Sequence, residues 1–383
     1  MQEIAYNRDS NHERSMPMAD MLDYLAWRGD IEFTQMPVNP VDALIFSTLS
    51  YIQFEDIVPD NPFQSISLQE AAAGLFSLAD PVARVRVKKD LELLKAVAES
   101  ARFDNIRMSF YRSILIPEED TQFAAVTIFL EDGSAYIAFR GTDNTLTGWK
   151  EDFNMSFQSS IPAQHLALSY MQEFAEVHAI PLWMGGHSKG GNLAVYAAAK
   201  CGQLLQKRIV EVYSQDGPGF STDMMDNPGY RSILPKVRSY VPQSSVIGML
   251  LEHEEPYTII RSNQIGIMQH DPYSWMVMGA NFLQVEQLTA DSRFLDRTFK
   301  NWLSNMTKEE RSEFFDTVFA LLESTGAEQA SEIIRPQNVR AYLKALKTNE
   351  YMRNVLASEL VRLISSARQV QNEADALPAE PAE

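Results

Sequence analysis

The sequence predicts an α/β protein with a largely parallel sheet and helices packed on both of its faces. Three observations predict it. Between residues 120 and 275, strand-like apolar runs alternate with helical stretches, the pattern of parallel strands joined by helical crossovers. Gly186-His187-Ser188-Lys189-Gly190 fits G-x-S-x-G and falls between a short apolar strand and an Ala-rich helix. Finally, 45% apolar and 22% charged residues over 383 positions describe a globular chain with ample core, not a disordered or collagen-like one.

Taken in order, residues 1–115 read as a helical region packing on the core. Asn39-Pro40 opens a helical run to Asp56, and Ser67-Leu68-Gln69-Glu70 has capping-box spacing. Asp80-Pro81 opens another run, with Val82, Val85, Leu91, Leu94 and Val97 on one face. Residues 116–285 form the α/β core. Its strands are expected over 123–130, 135–139, 181–184, 209–213, 237–241 and 257–261, and Glu131-Asp132-Gly133 makes a hairpin turn between the first two. Residues 286–368 return to helix, with a capping box at Thr307–Glu310. Residues 369–383, with four acids, no base and two prolines, read as a disordered acidic tail.

The excess of 51 Asp and Glu over 33 Lys and Arg gives a net charge of −18, which disfavours nucleic acid as a partner. No apolar run is long enough for a transmembrane segment, and the charged first thirty residues lack a secretory h-region. Transient contact with a lipid surface stays open. The one cysteine, Cys201, cannot pair internally and fits a reducing, cytoplasmic compartment. No His/Cys cluster has metal-ligand spacing and no phosphate-binding G-x-x-x-x-G-K-[ST] loop occurs, so neither metal nor cofactor is expected.

A nucleophile on a strained strand-to-helix turn needs small neighbours and a nearby base. Ser188 is the expected nucleophile. Of six histidines, His270 follows the last core strand, where the chain order Ser…acid…His places the base. Asp216 ends the strand after the elbow and is the expected acid, against an aspartate that only favours the Gly217-Pro218 turn. Glu252 and Glu254 are the alternatives. The oxyanion hole is assigned to the Lys189 N–H with the N–H or hydroxyl of Thr142. The Lys189 side chain reads as a helix-start surface group or an attraction for an anionic substrate. His187 reads as packed and His253 as a solvated loop residue. Trp275, Met278 and Phe282 fall at helical spacing, and Trp275 and Met249 are expected to line an acyl pocket or lid.

These motifs resemble a known family. Phe139-Arg140-Gly141-Thr142 with Gly186–Asn192 is similar to the class 3 lipase branch of the α/β-hydrolases. Adding Gly148–Asp152, Asp216–Gly219 and Gln269–Trp275 makes the set resemble an uncharacterised bacterial lipase-like family over about residues 15–285. The resemblance implies the α/β-hydrolase fold, a Ser188 nucleophile, a His270 base and oxyanion roles for Thr142 and Lys189. It departs at the acid, because the class 3 aspartate would fall near Ser244 or Ser245. The expected activity is hydrolysis of a carboxylic ester of a small molecule or lipid. The alternative is a non-catalytic scaffold or protein-interaction module, and oligomeric state is left open.

Overall fold

The computed structural model describes residues 19–329 and 332–376. Its centre is an eight-stranded sheet whose strands lie side by side in chain order. They are β1 (Ser65–Ser67), β2 (Arg107–Ile116), β3 (Thr121–Phe129), β4 (Ala135–Phe139), β5 (Leu182–His187), β6 (Ile209–Gln215), β7 (Val237–Pro242) and β8 (Tyr257–Ile260). Pairing is antiparallel from β1 to β4 and parallel from β4 to β8. The α/β class is therefore observed, with a mixed sheet whose parallel half carries the elbow.

Two of these strands lie in the region expected to be helical. β2 escaped notice because a bulge between Ser109 and Arg112 breaks the two-residue alternation, with Phe110 at φ 53°. β1 has only three residues, too few to show a period.

Before the parallel strands come α1 (Met21–Arg28), α2 (Pro40–Leu49), α3 (Leu68–Phe76) and α4 (Lys89–Ala98). Each of the first three starts with a reciprocal cap, Asp20–Asp23, Asn39–Asp42 and Ser67–Glu70, satisfying N–H groups that a helix start otherwise leaves bare. α2 ends at Leu49, short of Asp56, and residues 81–84 form a 3₁₀ turn. The next helices are α5 (Leu146–Asn154), α6 (Pro162–Val177), α7 (Lys189–Lys200), the one-turn α8 (Gln203–Gln206) and α9 (Thr222–Met225), and α10 (Pro228–Ile233).

Alternation along the strands sorts the two faces. Tyr136 and Ala138 of β4 and Tyr213 of β6 face the apolar cluster built with α1–α4. Ala135, Ile137 and Phe139 of β4, Met184 of β5 and Val212 of β6 face the cluster of α6, α7 and α10. The first helices thus cover one face of the sheet.

After β8 the chain forms a hairpin of β9 (Val277–Met278) and β10 (Asn281–Phe282), turning at Gly279 with φ 66°. Trp275, Met278 and Phe282 are accordingly not on a helix; the positive φ, which a glycine adopts freely, ends any helical continuation. α11 (Ala290–Ser304), α12 (Lys308–Glu323), α13 (Pro336–Thr348) and α14 (Glu350–Ala376) follow. α14 packs on α11 and α12, and α12 reaches the core by stacking Phe315 on Phe153 of α5 at 4.7 Å. The expected tail is helical as far as Ala376, because buried Val370 anchors α14 and Gln369 bonds Glu373 one turn on. Residues 377–383 lie outside the described residues.

Candidate active site

β5 runs into α7 through Ser188, which holds φ 59°, ψ −133°, a conformation that ordinary side chains avoid. Two neighbours make the turn feasible. A Cβ on Gly186 would sit 2.3 Å from the Gly190 carbonyl carbon, and one on Gly190 would sit 2.2 Å from the Phe139 oxygen. Only glycine fits either position. The Ser188 N–H donates to the Gln215 carbonyl at 2.9 Å, tying the elbow to the end of β6, one residue before Asp216.

Asp216 leaves β6 at φ 53° with its carboxylate almost wholly buried. That carboxylate accepts from His270 Nδ1 at 2.6 Å, from Ser245 Oγ at 2.5 Å and from the Gly248 N–H at 3.2 Å. The structure therefore brings Asp216 and His270 together across 54 positions. Glu252 and Glu254 are exposed, and among the described residues neither bonds His270. Ser245, one of the two positions near which the class 3 resemblance would place an acid, donates to the Asp216 carboxylate.

His270 ends a 3₁₀ turn, Gly266–His270, that follows β8, and its imidazole is about one-quarter exposed. With Nδ1–H donating to Asp216, Nε2 is left as the acceptor that a general base requires. Neither Nε2 nor the Ser188 hydroxyl forms a hydrogen bond among the described residues, so both groups are uncommitted.

His187 is more than packing. Its Nε2 lies 2.7 Å from the His270 carbonyl oxygen, and its ring centroid 4.4 Å from that of His270. A carbonyl only accepts, so Nε2 carries the proton and Nδ1 accepts from the Tyr51 hydroxyl at 3.0 Å. Burial, with the charges of His270 and Arg86 behind it, pushes the His187 pKa well down and keeps the ring neutral. Tyr51, two residues past α2, therefore helps hold the His270 turn through His187, the residue before Ser188. Arg86 adds to this: it lies over the Tyr51 ring at 5.0 Å and pairs with Asp271, next to His270, at 3.6 Å.

Thr142 follows β4. Its hydroxyl donates to Asp152 Oδ2 at 2.5 Å and is not available to a substrate, whereas its N–H has no partner among the described residues. Lys189 is the first residue of α7, so its own N–H has no intrahelical acceptor. The Lys189 side chain is neither at the surface nor open to an anionic substrate. It is fully buried, and its Nζ bonds Glu151 Oε2 at 2.8 Å, Gln122 Oε1 at 2.7 Å and the Gln122 carbonyl at 2.9 Å. Burial pushes the Asp152 carboxyl up to about 6, against the lowering effect of Lys189.

The two pocket residues lie elsewhere than expected. Trp275 is entirely buried, its Nε1 donating to the Gln269 carbonyl at 2.9 Å, and it packs under the His270 turn against Phe282. Met249 is buried against Val241 and Leu288. Both side chains belong to buried apolar clusters. His165 bonds Ser160, His178 bonds the Pro62 carbonyl, and His253 pairs with Glu255 at 3.0 Å, mostly buried and not solvated. His12 lies outside the described residues. Sequence reasoning did not find the roles of Tyr51, Gln122, Glu151, Asp152 and Ser245. The only available signal was the segment Gly148–Asp152 in the family resemblance.

Among the described residues no group of His, Cys, Asp or Glu could hold a metal ion, and no helix is long and apolar enough to cross a membrane. A family model described as Mbeg1-like matches residues 97–320. Among solved structures, the chain is similar to the Rhizomucor miehei lipase propeptide complex at 16% identity, covering 49% of this chain and 71% of that one, TM-score 0.34. It is also similar to M37 lipase at 17% identity, covering 54% and 68%, TM-score 0.35. No curated protein matches.

Proposed function

The chain belongs to the Mbeg1-like family, and on that footing we propose that it is a serine hydrolase of lipase-like, α/β-hydrolase type. It cleaves a carboxylic ester through an acyl-enzyme on Ser188. The observation that carries the reading is the 2.6 Å bond from His270 Nδ1 to buried Asp216, on the turn that rests on the residue before Ser188.

The reaction follows from the groups present. His270 Nε2 takes the Ser188 proton as Oγ attacks the ester carbonyl, and Asp216 stabilises the imidazolium that forms. The N–H groups of Lys189 and Thr142 receive the oxyanion, each such donor being worth roughly 10²–10³ in turnover. Nε2–H then protonates the leaving alkoxide, and the same imidazole activates the water that releases the acid. The sheet with its crossover helices is the catalytic unit, extended in this reading to β1 and β2, with α11–α14 as an accessory region. A cytoplasmic setting goes with the reading, argued from the lone, buried Cys201.

The test is labelling with a fluorophosphonate probe, together with hydrolysis of short and long p-nitrophenyl esters. Labelling and turnover are expected in the wild type and in Ser221→Ala, and neither in Ser188→Ala. A folded wild type that is unlabelled and inactive across pH 5–9 returns the chain to the scaffold reading.

A further inference from the structure

We propose that Lys189 is a positioning residue for both halves of the oxyanion hole. Its main-chain N–H is one donor, and its buried ammonium fixes, through Asp152, the loop that presents the other at Thr142. The inference rests on the hydrolase reading and assigns it a residue whose charge that mechanism leaves unused.

The placement of this charge is costly. A cation in the first turn opposes the helix dipole, and a fully buried ammonium loses its hydration. An apolar side chain would fill the same space without either cost, so the arrangement needs a reason beyond packing. The three ammonium protons have three acceptors: the Gln122 carbonyl, Gln122 Oε1 and Glu151 Oε2. Glu151, also fully buried, accepts in turn from the Gln122 N–H at 3.1 Å and the Ala163 N–H at 2.9 Å. The start of α7 is thereby fastened to β3, α5 and α6 at one point.

The neighbour of Glu151 extends the link. Asp152 Oδ1 is buried with no hydrogen bond, and the charge opposite it is Lys189 Nζ at 3.8 Å. Its other oxygen takes the Thr142 hydroxyl. A carboxylate only accepts, so while Asp152 is ionised the single Thr142 proton is committed to it and the side chain cannot turn. Lys189 is the strongest influence favouring that ionised form against burial. The Thr142 methyl meets the α5 backbone closely, a Cβ on Gly148 falling 3.0 Å from it, so the loop is held from two sides.

The experiment uses three forms of the full chain: Lys189→Met/Glu151→Gln, in which Glu151 leaves no unpaired charge behind and Asp152 alone loses the Lys189 charge, Thr142→Val, and the triple combination. Steady-state kinetics on p-nitrophenyl butyrate are measured beside amide hydrogen exchange over residues 141–145. Thr142→Val keeps the N–H but cuts the tie to Asp152. Each of the first two is expected to lower kcat by about 10–100-fold with KM held within about twofold, since the oxyanion forms only in the transition state. Exchange over 141–145 rises in both while β5 and α7 keep wild-type protection. The combined variant is no worse than the poorer of the two, because both cut one link. Unchanged kcat in Lys189→Met/Glu151→Gln overturns the inference, as do losses that multiply or exchange that rises throughout the sheet. Those outcomes leave Ser188 labelling intact; an unlabelled wild type instead removes the hydrolase reading and this inference with it.

Discussion

Replacing Asp216 by asparagine tests the acid with almost no change of shape, and the hydrogen bonds dictate which way the amide must face. Oδ1 receives two donors, Ser245 Oγ–H and the Gly248 N–H, while Oδ2 receives only His270 Nδ1. The single carbonyl oxygen of asparagine therefore takes the Oδ1 position. The reverse orientation would press an NH₂ against the Gly248 N–H, which cannot rotate away. The amide nitrogen then faces His270 and donates to Nδ1, so the imidazole proton moves to Nε2. In that tautomer Nε2, the nitrogen proposed to take the Ser188 proton, is already protonated and cannot serve as base. The expected loss is about 10³–10⁴ in kcat, equivalent to about 4–5.5 kcal/mol of transition-state stabilisation. The assay is p-nitrophenyl butyrate hydrolysis, with circular dichroism to check folding, beside Glu252→Gln and Glu254→Gln, which should stay within about twofold. An Asp216→Asn enzyme within tenfold of wild type, or a collapse in a glutamate variant instead, refutes the tautomer argument.

Tyr51→Phe leaves buried His187 Nδ1 without its donor, and should cost about 1–3 kcal/mol in urea unfolding and also lower kcat, because His187 holds the His270 carbonyl. In α2, Asp42 takes Arg102 in a two-point pair, Nε to Oδ1 at 2.8 Å and Nη2 to Oδ2 at 2.5 Å, with both side chains fully buried. Asp42→Asn strands that guanidinium and should cost about 3–5 kcal/mol by the same measurement, with labelling of Ser188 retained in the folded fraction. Asp152 gives a pH signature. Its folded pKa of about 6 lies above the ordinary 3.8, so its contribution to stability is complete below the lower value and is lost as pH rises through the upper. Asp152→Asn removes that dependence, and its stability relative to wild type should rise by about 2 kcal/mol between pH 4 and pH 7. A flat difference across that range counts against the raised carboxyl.

What could be read from the sequence was whatever depends on short spacing. The elbow is five consecutive residues whose glycines are required by close approach to each other and to the Phe139 carbonyl, and the five stand together, so the pattern survives in one dimension. Capping boxes at Ser67–Glu70 and Thr307–Glu310 are legible for the same reason. Features set by chain pairs far apart were not. The bulge in β2 shifted its parity, Gly279 turned a helical-looking stripe into a hairpin, and Lys189 reads as a surface lysine until β3 and α5 supply its partners. Tyr51 lies 136 positions from His187, and nothing local in either segment announces that bond.

The position proposed for the acid has a geometric cause. In this sheet β5, β6 and β7 are consecutive parallel neighbours, so the end of β6 lies directly beside the elbow and the end of β7 one strand beyond it. A side chain leaving β7 would have to cross β6 to reach an imidazole placed over β5, which needs a longer reach or a displaced histidine. Asp216 avoids the crossing by leaving β6 with a positive φ, which lifts its carboxylate above the strand end. The vacated place after β7 is not idle. Ser245 donates to the same oxygen as Gly248, and a Cβ on Gly248 would fall 2.2 Å from it, so the loop after β7 is shaped around a carboxylate belonging to β6. An acid moved back to Ser245 would confront Asp216 at hydrogen-bond distance, and two like charges there could not both stay ionised. With the imidazole kept over β5, Ser245→Asp should raise the pH needed for turnover in the wild type and should restore no turnover to an Asp216→Asn background. Rescue of Asp216→Asn by Ser245→Asp would show that the His270 turn can shift across one strand.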